Sequence, residues 1–159
     1  MGPMRPSASY RLLRPEESAA VAKLTTQVFD EFVAPLYSTE GIAEFHRYSD
    51  PAEFDARNRA DHLTIVAESD KGIVGMLQLR AFRHVSMLFV RRDCQRCGIA
   101  RELLNKAVEL CQRHSPPPHT LTVKASPNAV RAYVRIGFQV MGSEFCERGI
   151  RSIPMQLTL

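Results

Sequence analysis

The residues best suited to chemistry in this chain lie together near its middle. An apolar run, Val85–Val90, is followed by a polar turn that contains Gln95-x-x-Gly98-x-Ala100 and then by an amphipathic stretch. This pattern predicts a strand, a turn and a helix whose first turn begins near Gly98. The first N–H groups of a helix have no intrahelical acceptor, and the helix dipole favours negative charge beside them. The stretch therefore predicts an anion-binding site that a glycine leaves open to close approach.

Four arginines surround this turn: Arg91, Arg92, Arg96 and Arg101. The net charge of the chain is only +4, and no long run of Lys and Arg is present. A nucleic-acid binder usually carries such a run or stripe, so nucleic acid is not an expected partner. The local arginines suit a compact polyanion, and a solvated basic turn is the alternative interpretation.

The cysteines invite a zinc interpretation that helical geometry opposes. Cys94-x-x-Cys97 and Cys111-x-x-His114 have spacings like those of zinc ligands. If residues 98–113 form one helix, however, Cys97 and Cys111 stand roughly 20 Å apart at 1.5 Å per residue. Tetrahedral zinc needs all its ligands about 2.0–2.3 Å from one ion. No metal site is expected, and Cys111 is predicted to be a core residue.

Length and composition indicate one globular domain over residues 1–159. Hydrophobic residues make up 45% of the 159 and charged residues 24%, close to globular averages. Residues 1–9 are rich in Pro and Ser and are expected to be flexible. No apolar run approaches the roughly 20 residues that cross a bilayer, and the first residues lack a signal-peptide core. Pro6 stands where a myristoylation motif needs Ser or Thr, so a cytoplasmic protein without a membrane partner is expected.

The order of predicted elements is β-α-α-β-β-β-α-β-α-β-β, which describes a single α/β domain with a mixed sheet. Ile99, Leu103 and Ala107 recur at helical spacing, and Ser115–Pro118 ends that helix. Ser126 and Pro127 begin another helix that Gly137 closes. Strands are predicted over 10–13, 63–67, 72–79, 85–90, 120–125, 138–142 and 153–159, helices over 15–34, 39–45, 98–113 and 127–136, and a turn or helix over 51–58.

Two motifs resemble those of the GNAT N-acetyltransferase superfamily. Gln95-Arg-Cys-Gly-Ile-Ala100 matches the Q/R-x-x-G-x-G/A signature, and Leu88-Phe-Val90 before it resembles the fourth strand of that family. Asn128-Ala-Val-Arg-Ala-Tyr133-Val-Arg-Ile-Gly-Phe138 resembles its later N…A…Y…GF motif. The likeness is detailed over residues 60–145. It implies the GNAT fold: a mixed central sheet of six to seven strands with about four flanking helices.

The resemblance also implies an activity, namely transfer of an acetyl group from acetyl-CoA to a primary amine by direct attack in a ternary complex. Backbone N–H groups from Arg96 to Arg101 would hold the CoA pyrophosphate. The N–H of Phe89 or Leu88 would polarise the thioester oxygen, and Tyr133 would be the general acid toward the leaving sulfur. The side chain of Asn128 would form a hydrogen bond with the pantetheine or with the adjacent backbone. The implied cofactor-binding residues are Leu88, Phe89, Val90, Gln95, Arg96, Cys97, Gly98, Ile99, Ala100, Arg101 and Asn128.

The chain departs from the commonest family pattern at Arg96, which is often glycine, and at Ala100, which stands where glycine is more usual. The sequence does not single out a general base. Candidates are His84, Glu68, Glu44 and His46, with His84 favoured.

Several alternatives stay open from sequence alone. The chain could be a non-catalytic acyl-CoA sensor or a protein-interaction module of the same fold, or a transferase whose cofactor site responds to oxidation of Cys94 and Cys97. A small-molecule amine is a more natural acceptor than a protein, because the region between the first two helices is short and mixed in charge. The protein is expected to be a monomer or a homodimer.

Overall fold

The computed structural model describes residues 7–159, which contain eight β-strands and five α-helices joined by turns and loops. Residues 1–6 of the terminus that the sequence predicts to be flexible lie outside it, and Ser9 at the end of that stretch is the first residue of a strand. The strands are β1 (Ser9–Leu12), β2 (His62–Ser69), β3 (Gly72–Arg80), β4 (His84–Val90), β5 (Thr120–Ala125), β6 (Gln139–Val140), β7 (Phe145–Glu147) and β8 (Ile150–Thr158). The helices are α1 (Ser18–Val28), α2 (Thr39–Tyr48), α3 (Pro51–Arg59), α4 (Ile99–Arg113) and α5 (Val130–Ile136).

The strands form one mixed sheet in the order β1-β2-β3-β4-β5-β8-β6, with β7 paired to β8. Only β4 and β5, joined through α4, run parallel; every other pair is antiparallel. This is the GNAT fold that the sequence predicts. The strand β7 was missed because its three residues are too short a run to show alternation.

Helices cover both faces of the sheet. Helix α4 packs on one face through the predicted apolar stripe, and Ile99, Leu103, Ala107 and Cys111 are all buried there. The other face meets α1 and α3 through a second apolar cluster that includes Val21, Phe54, Met76 and Met87. The side of the sheet that each β4 residue faces can therefore be read from the cluster it joins.

Strand β4 contains a bulge at Ser86. Its register with β3 pairs Met87 with Gln78 and Val85 with Leu79, so that Ser86 has no opposite residue. An extra residue reverses the alternation of side chains beyond it. Val85 accordingly packs with the α4 cluster, whereas Met87, two residues later, packs with the α1–α3 cluster.

Beyond this bulge, β4 and β5 separate. Their pairing is limited to His84 with Thr122 and Val85 with Val123. Strand β5 instead stays paired with β8 along its whole length, from Thr120 to Ala125. The sheet thus divides into a β1–β4 half and a β5–β8 half, and we call the gap beside Ser86–Val90 the cleft.

The segment that runs from the end of α1 into the first turn of α2 connects the two halves. This bridging segment, Phe29–Gly41, begins with a π-helical turn and a 3-10 turn. Asn128 Nδ2 donates to Phe32 O at 3.0 Å, and Tyr37 Oη donates to Arg151 O at 3.2 Å. The backbone of Gly41 also lies directly against that of Gly149. The halves are therefore joined by this segment as well as by the β4–β5 pairing and by the apolar cluster that α4 shares with both of them.

The Gly41–Gly149 contact leads to a prediction about stability. An alanine at a helical glycine normally adds about 0.5–1 kcal/mol of stability. At Gly41 the new Cβ would overlap the carbonyl oxygen of Gly149, which is backbone and cannot rotate away. We expect Gly41→Ala to lower the free energy of unfolding by about 2 kcal/mol, measured by urea titration. Glu40→Ala, at the exposed neighbouring position, is the control and should cost less than about 0.5 kcal/mol. A Gly41→Ala protein as stable as the parent would contradict this close contact.

Candidate functional site

The edge of β4 that faces the cleft is set by its register with β3. Arg91 N–H donates to Val74 O at 2.8 Å, next to the Val90–Gly75 pair. In an antiparallel ladder, residues that exchange hydrogen bonds alternate with residues that do not. This alternation assigns Phe89 to a hydrogen-bonded pair with Met76, and the N–H groups of Leu88 and Val90 point into the cleft.

This register distinguishes the two amides that the sequence left open. The N–H of Phe89 is directed toward Met76 on β3, away from the cleft. The amide of Leu88, which sequence reasoning offered beside it, does point there. The choice depends on the bulge at Ser86, which carries no signal in the sequence.

The loop after β4 is held close to the strand. A 3-10 turn, Arg92–Cys94, follows the strand, and Gln95 Nε2 donates to Val90 O at 2.9 Å. Arg96 and Gly98 both adopt left-handed backbone conformations, with φ of +61° and +82°. This explains why glycine suits position 96, since a side chain there costs conformational energy of order 1 kcal/mol or more.

Six consecutive backbone N–H groups, from Arg96 to Arg101, have no acceptor among residues 7–159. The first α4 bond at their end is Glu102 N–H to Gly98 O at 3.0 Å. The side chains of Arg96 and Arg101 are exposed and lie in no ion pair within the same residues, whereas Arg92 pairs with Glu31 at 2.6 Å. Free amides, two free cations and a helix N-terminus together favour a polyanion.

A nearby cavity of about 560 Å³ does not serve this purpose. It lies between the end of α1 and the turn after β4. Three carboxylates, those of Asp30, Glu31 and Asp93, line it beside Arg91 and Arg92. Its acidic lining disfavours phosphate, so the anion site is the row of amides.

Tyr133 lies in the apolar cluster that also contains Val90 and Ile99, with 7% of its surface exposed. Its ring meets Phe138 edge-on at 5.2 Å between centroids. Its hydroxyl makes no hydrogen bond to any residue that the structure describes, and burial raises the pKa of this phenol well above its ordinary value. The phenol of Tyr133 is therefore protonated throughout the neutral pH range, and its O–H is not engaged with another residue that the structure describes.

Asn128 reaches across the cleft. Its amide donates to Phe32 O in the bridging segment, and its carbonyl accepts a hydrogen bond from Ser126 Oγ at 2.7 Å. The side chain thus holds the bridging segment to the start of α5. Sequence reasoning expected a backbone or pantetheine partner and had no means of naming one 96 residues away.

His84 lies where β4 and β5 are still paired, and its Nδ1 is 2.8 Å from Thr122 Oγ1. Burial, reinforced by Arg80, Lys124 and His62, lowers the pKa of its imidazole to about 4. A base this weak captures a proton from an ammonium group poorly.

The other base candidates already contact charged side chains. Glu68 pairs with Arg11 at 2.7 Å, His46 with Asp30 at 2.6 Å, and Glu44 with Arg47 and Arg148. None of them is a free base at the cleft.

All four cysteines are free thiols, and burial raises the pKa of the Cys111 thiol to about 11. Within residues 7–159, no group of three His, Cys, Asp or Glu side chains is arranged to hold a metal ion. No helix in this part of the chain has both the length and the apolar character to cross a membrane.

A family model described as an acetyltransferase (GNAT) domain matches residues 33–159. The chain belongs to this family and has the fold of an acetyltransferase. None of the curated proteins matches the chain.

Many solved structures share the fold. A GCN5-related N-acetyltransferase from Rhodopseudomonas palustris has a TM-score of 0.84 and 25% identity, covering 99% of this chain and 100% of its own. The PaiA N-acetyltransferase of Thermoplasma acidophilum, solved in complex with coenzyme A, has a TM-score of 0.80 and 17% identity over 96% and 99% of the two chains. The yncA protein of Salmonella typhimurium, solved with acetyl-CoA, has a TM-score of 0.69 and 17% identity over 96% and 94%.

The depressed pKa of His84 predicts a pH dependence of stability. The folded protein binds this proton only near pH 4, whereas the unfolded chain binds it near the ordinary value of 6.5. The unfolded state therefore gains protons first, and stability falls as the pH drops from 6.5 to 4. We expect this residue to account for about 2 kcal/mol of that loss after allowance for its partial exposure. Urea titrations at several pH values should show a shallower decline for His84→Gln. The exposed His119→Gln serves as the control, and equal slopes for both variants would contradict the assignment.

Proposed function

We propose that this protein is an acetyl-CoA-dependent N-acetyltransferase that acetylates a primary amine on a small molecule. The observation that carries the proposal is the position of the six free amides at the mouth of the cleft. A strand edge with free main-chain groups lies immediately before an anion site. That combination fits a ligand with an amide-containing arm and a diphosphate.

The two parts of the site divide the binding of acetyl-CoA between them. The pantetheine arm carries amides, and it would pair with Leu88 and Val90 as an added strand does. The diphosphate would accept hydrogen bonds from the N–H groups of Arg96 to Arg101, with the side chains of Arg96 and Arg101 beside it. Gln95 contributes by fixing the loop to Val90.

The reaction needs few groups from the protein. The neutral amine attacks the thioester carbon, a C–N bond forms, and the C–S bond breaks. Leu88 N–H would stabilise the negative charge that develops on the thioester oxygen. Tyr133 would donate its proton to the leaving sulfur, and the proton lost by the amine passes to solvent and restores the phenol. The products are an N-acetylated amine and free CoA.

The binding half of the proposal is tested at Gly98. Gly98→Ala adds a Cβ at a φ of +82°, which strains the loop and narrows the approach to its amides. We expect the acetyl-CoA dissociation constant, measured by calorimetry, to rise at least about tenfold. Gly72→Ala is a matched control, because Gly72 has a φ of +94° and open space around it, but lies in the β2–β3 turn. Equal affinities for the two variants, or a parent protein that binds no acetyl-CoA, would refute this site.

The catalytic half is tested at Tyr133. Tyr133→Phe removes the proposed proton donor and keeps the ring against Phe138, so turnover should fall about a hundredfold. The affinity for acetyl-CoA should not change. Tyr10→Phe on β1, at the far edge of the sheet, is the control and should keep full turnover. Turnover retained in Tyr133→Phe would remove this residue from the reaction. Tight binding of acetyl-CoA without transfer to any amine would favour the non-catalytic sensor instead.

A further inference from the structure

One face of the sheet is open to solvent beyond β4. Along β5, Leu121, Val123 and Ala125 are buried in the cluster of α4, whereas Thr122 and Lys124 point to the other face and keep contact with solvent. On β2, β3 and β4 this other face is covered by α1 and α3. A sheet face that no helix covers carries polar side chains, as β5 does here. We call the uncovered part, which begins beside the cleft, the open face.

Positive charges meet at the border of the open face. Arg80, His84 and Thr122 stand side by side on β3, β4 and β5, so their side chains share one face. Lys124 follows Thr122 by two residues and therefore points the same way. Arg80 and Lys124 both act electrostatically on the His84 imidazole and, after burial, help to lower its pKa. Two permanent cations thus lie close to one neutral imidazole.

These two cations are accessible and little compensated. Arg80 is exposed and forms no ion pair in the described part of the chain. The Lys124 side chain is 55% exposed, and its partner Glu147 lies 3.8 Å away, so this pair contributes little in solvent. The next side chains of the open face on β8 and β6 are uncharged, namely Pro154, Gln156 and Gln139. The charge here favours an anionic group that arrives from solvent.

The open face is also the side from which an acceptor would approach the reacting carbon. Tyr133 and α4 fill the opposite face of the sheet. The β4–β5 register ends at Val85 and Val123, which places Lys124 about level with the residue after Val85. Leu88 lies two residues further along β4, roughly 7 Å at 3.3–3.4 Å per residue. A small molecule can therefore contact Lys124 while its amine lies beside the thioester.

We propose that the acceptor is an amine that also carries an anionic group, a carboxylate or a phosphate, and that Lys124 and Arg80 bind this group on the open face. The inference rests on the proposed acetyl transfer and adds the chemical class of its acceptor. It gives Lys124 and Arg80 a role in recognition and leaves the reaction itself to Leu88 and Tyr133. A second copy of the chain is a poor occupant, because it would bring the same cations face to face.

The first test compares amines that differ in charge and share a three-carbon chain. The probes are aminopropyl phosphate, aminopropanoate, the neutral aminopropanol and the cationic diaminopropane, with release of the CoA thiol as the readout. We expect kcat/KM for the better anionic probe to exceed that for aminopropanol at least about tenfold, and diaminopropane to be the poorest. The preference should shrink when salt rises from about 0.05 M to about 0.5 M, because exposed charges are screened. The two anionic probes distinguish a carboxylate from a phosphate.

Variants at two lysines locate the recognition site. Lys124→Gln should raise KM for the anionic probe about tenfold and leave KM for acetyl-CoA and for aminopropanol unchanged. Lys124→Arg keeps the charge and should recover most of the loss. Lys106→Gln on α4 is the matched control, because Lys106 is 44% exposed and also lies 3.8 Å from a glutamate, Glu109, on the opposite face of the sheet. Arg80→Gln should reduce the preference for the anionic probe as well.

Binding of the anion is also measurable without turnover. In the CoA-saturated protein, an anion held between Arg80 and Lys124 stabilises the charged form of His84, so it should raise the pKa of this imidazole by about 0.5 or more, followed by NMR. Aminopropanol should leave that pKa unchanged. Thermal unfolding of each variant shows whether the fold is kept. If Lys124→Gln fails to fold, the NMR titration of the parent and the kinetics of Lys124→Arg decide the matter.

Three results would overturn the inference and leave the acetyl transfer standing. They are aminopropanol as good an acceptor as the anionic probes, a Lys124→Gln protein with an unchanged preference, and a His84 pKa that does not respond to the anionic probes up to about 10 mM. A protein that fails to bind acetyl-CoA, or that releases its thiol with no amine, would instead refute the proposed function itself. The two failures are distinguishable because acetyl-CoA binding is measured without an acceptor.

Discussion

The site depends on the separation of β4 from β5. Main-chain N–H and C=O groups in the interior of a sheet normally bond to a neighbouring strand, and leaving them free is costly. Here the extra residue at Ser86 reverses the face of each later side chain, and the β4–β5 pairing ends at the same point. The free amides of Leu88 and Val90 follow from that ending. The loop of Arg96 and Gly98 then places a second set of free amides at the cleft mouth, so that both sets can serve one extended ligand.

The parts of the fold with strong local signals were predictable. Helix α4 shows an apolar stripe with a clear start and stop, and the predicted strands were found at the predicted places, with ends that differ by a few residues. The free amides from Arg96 to Arg101 were likewise predictable, because the first N–H groups of a helix have no intrahelical acceptor. Arg96 adopts a left-handed φ that glycine would adopt without strain.

Features that depend on distant parts of the chain were not predictable. Whether Phe89 or Leu88 faces the cleft is decided by a bulge whose position results from register with β3. The partner of Asn128 lies in a π-helical turn that no composition signals. His84 looked like a base because its imidazole ordinarily titrates near neutral pH, but burial by neighbouring elements lowers its pKa.

The bridging segment has a mechanical consequence for the cleft. Rotation of one half of the sheet relative to the other about the short β4–β5 pairing would pull Gly41 from Gly149 and break the bonds of Asn128 and Tyr37. The contacts of the bridging segment therefore hold the two halves together on the side of the cleft away from the β4–β5 pairing, and they fix the width of the cleft before a ligand binds. A protein with a preformed cleft loses little conformational entropy when a long flexible molecule binds, so most of the entropy loss on binding comes from the ligand.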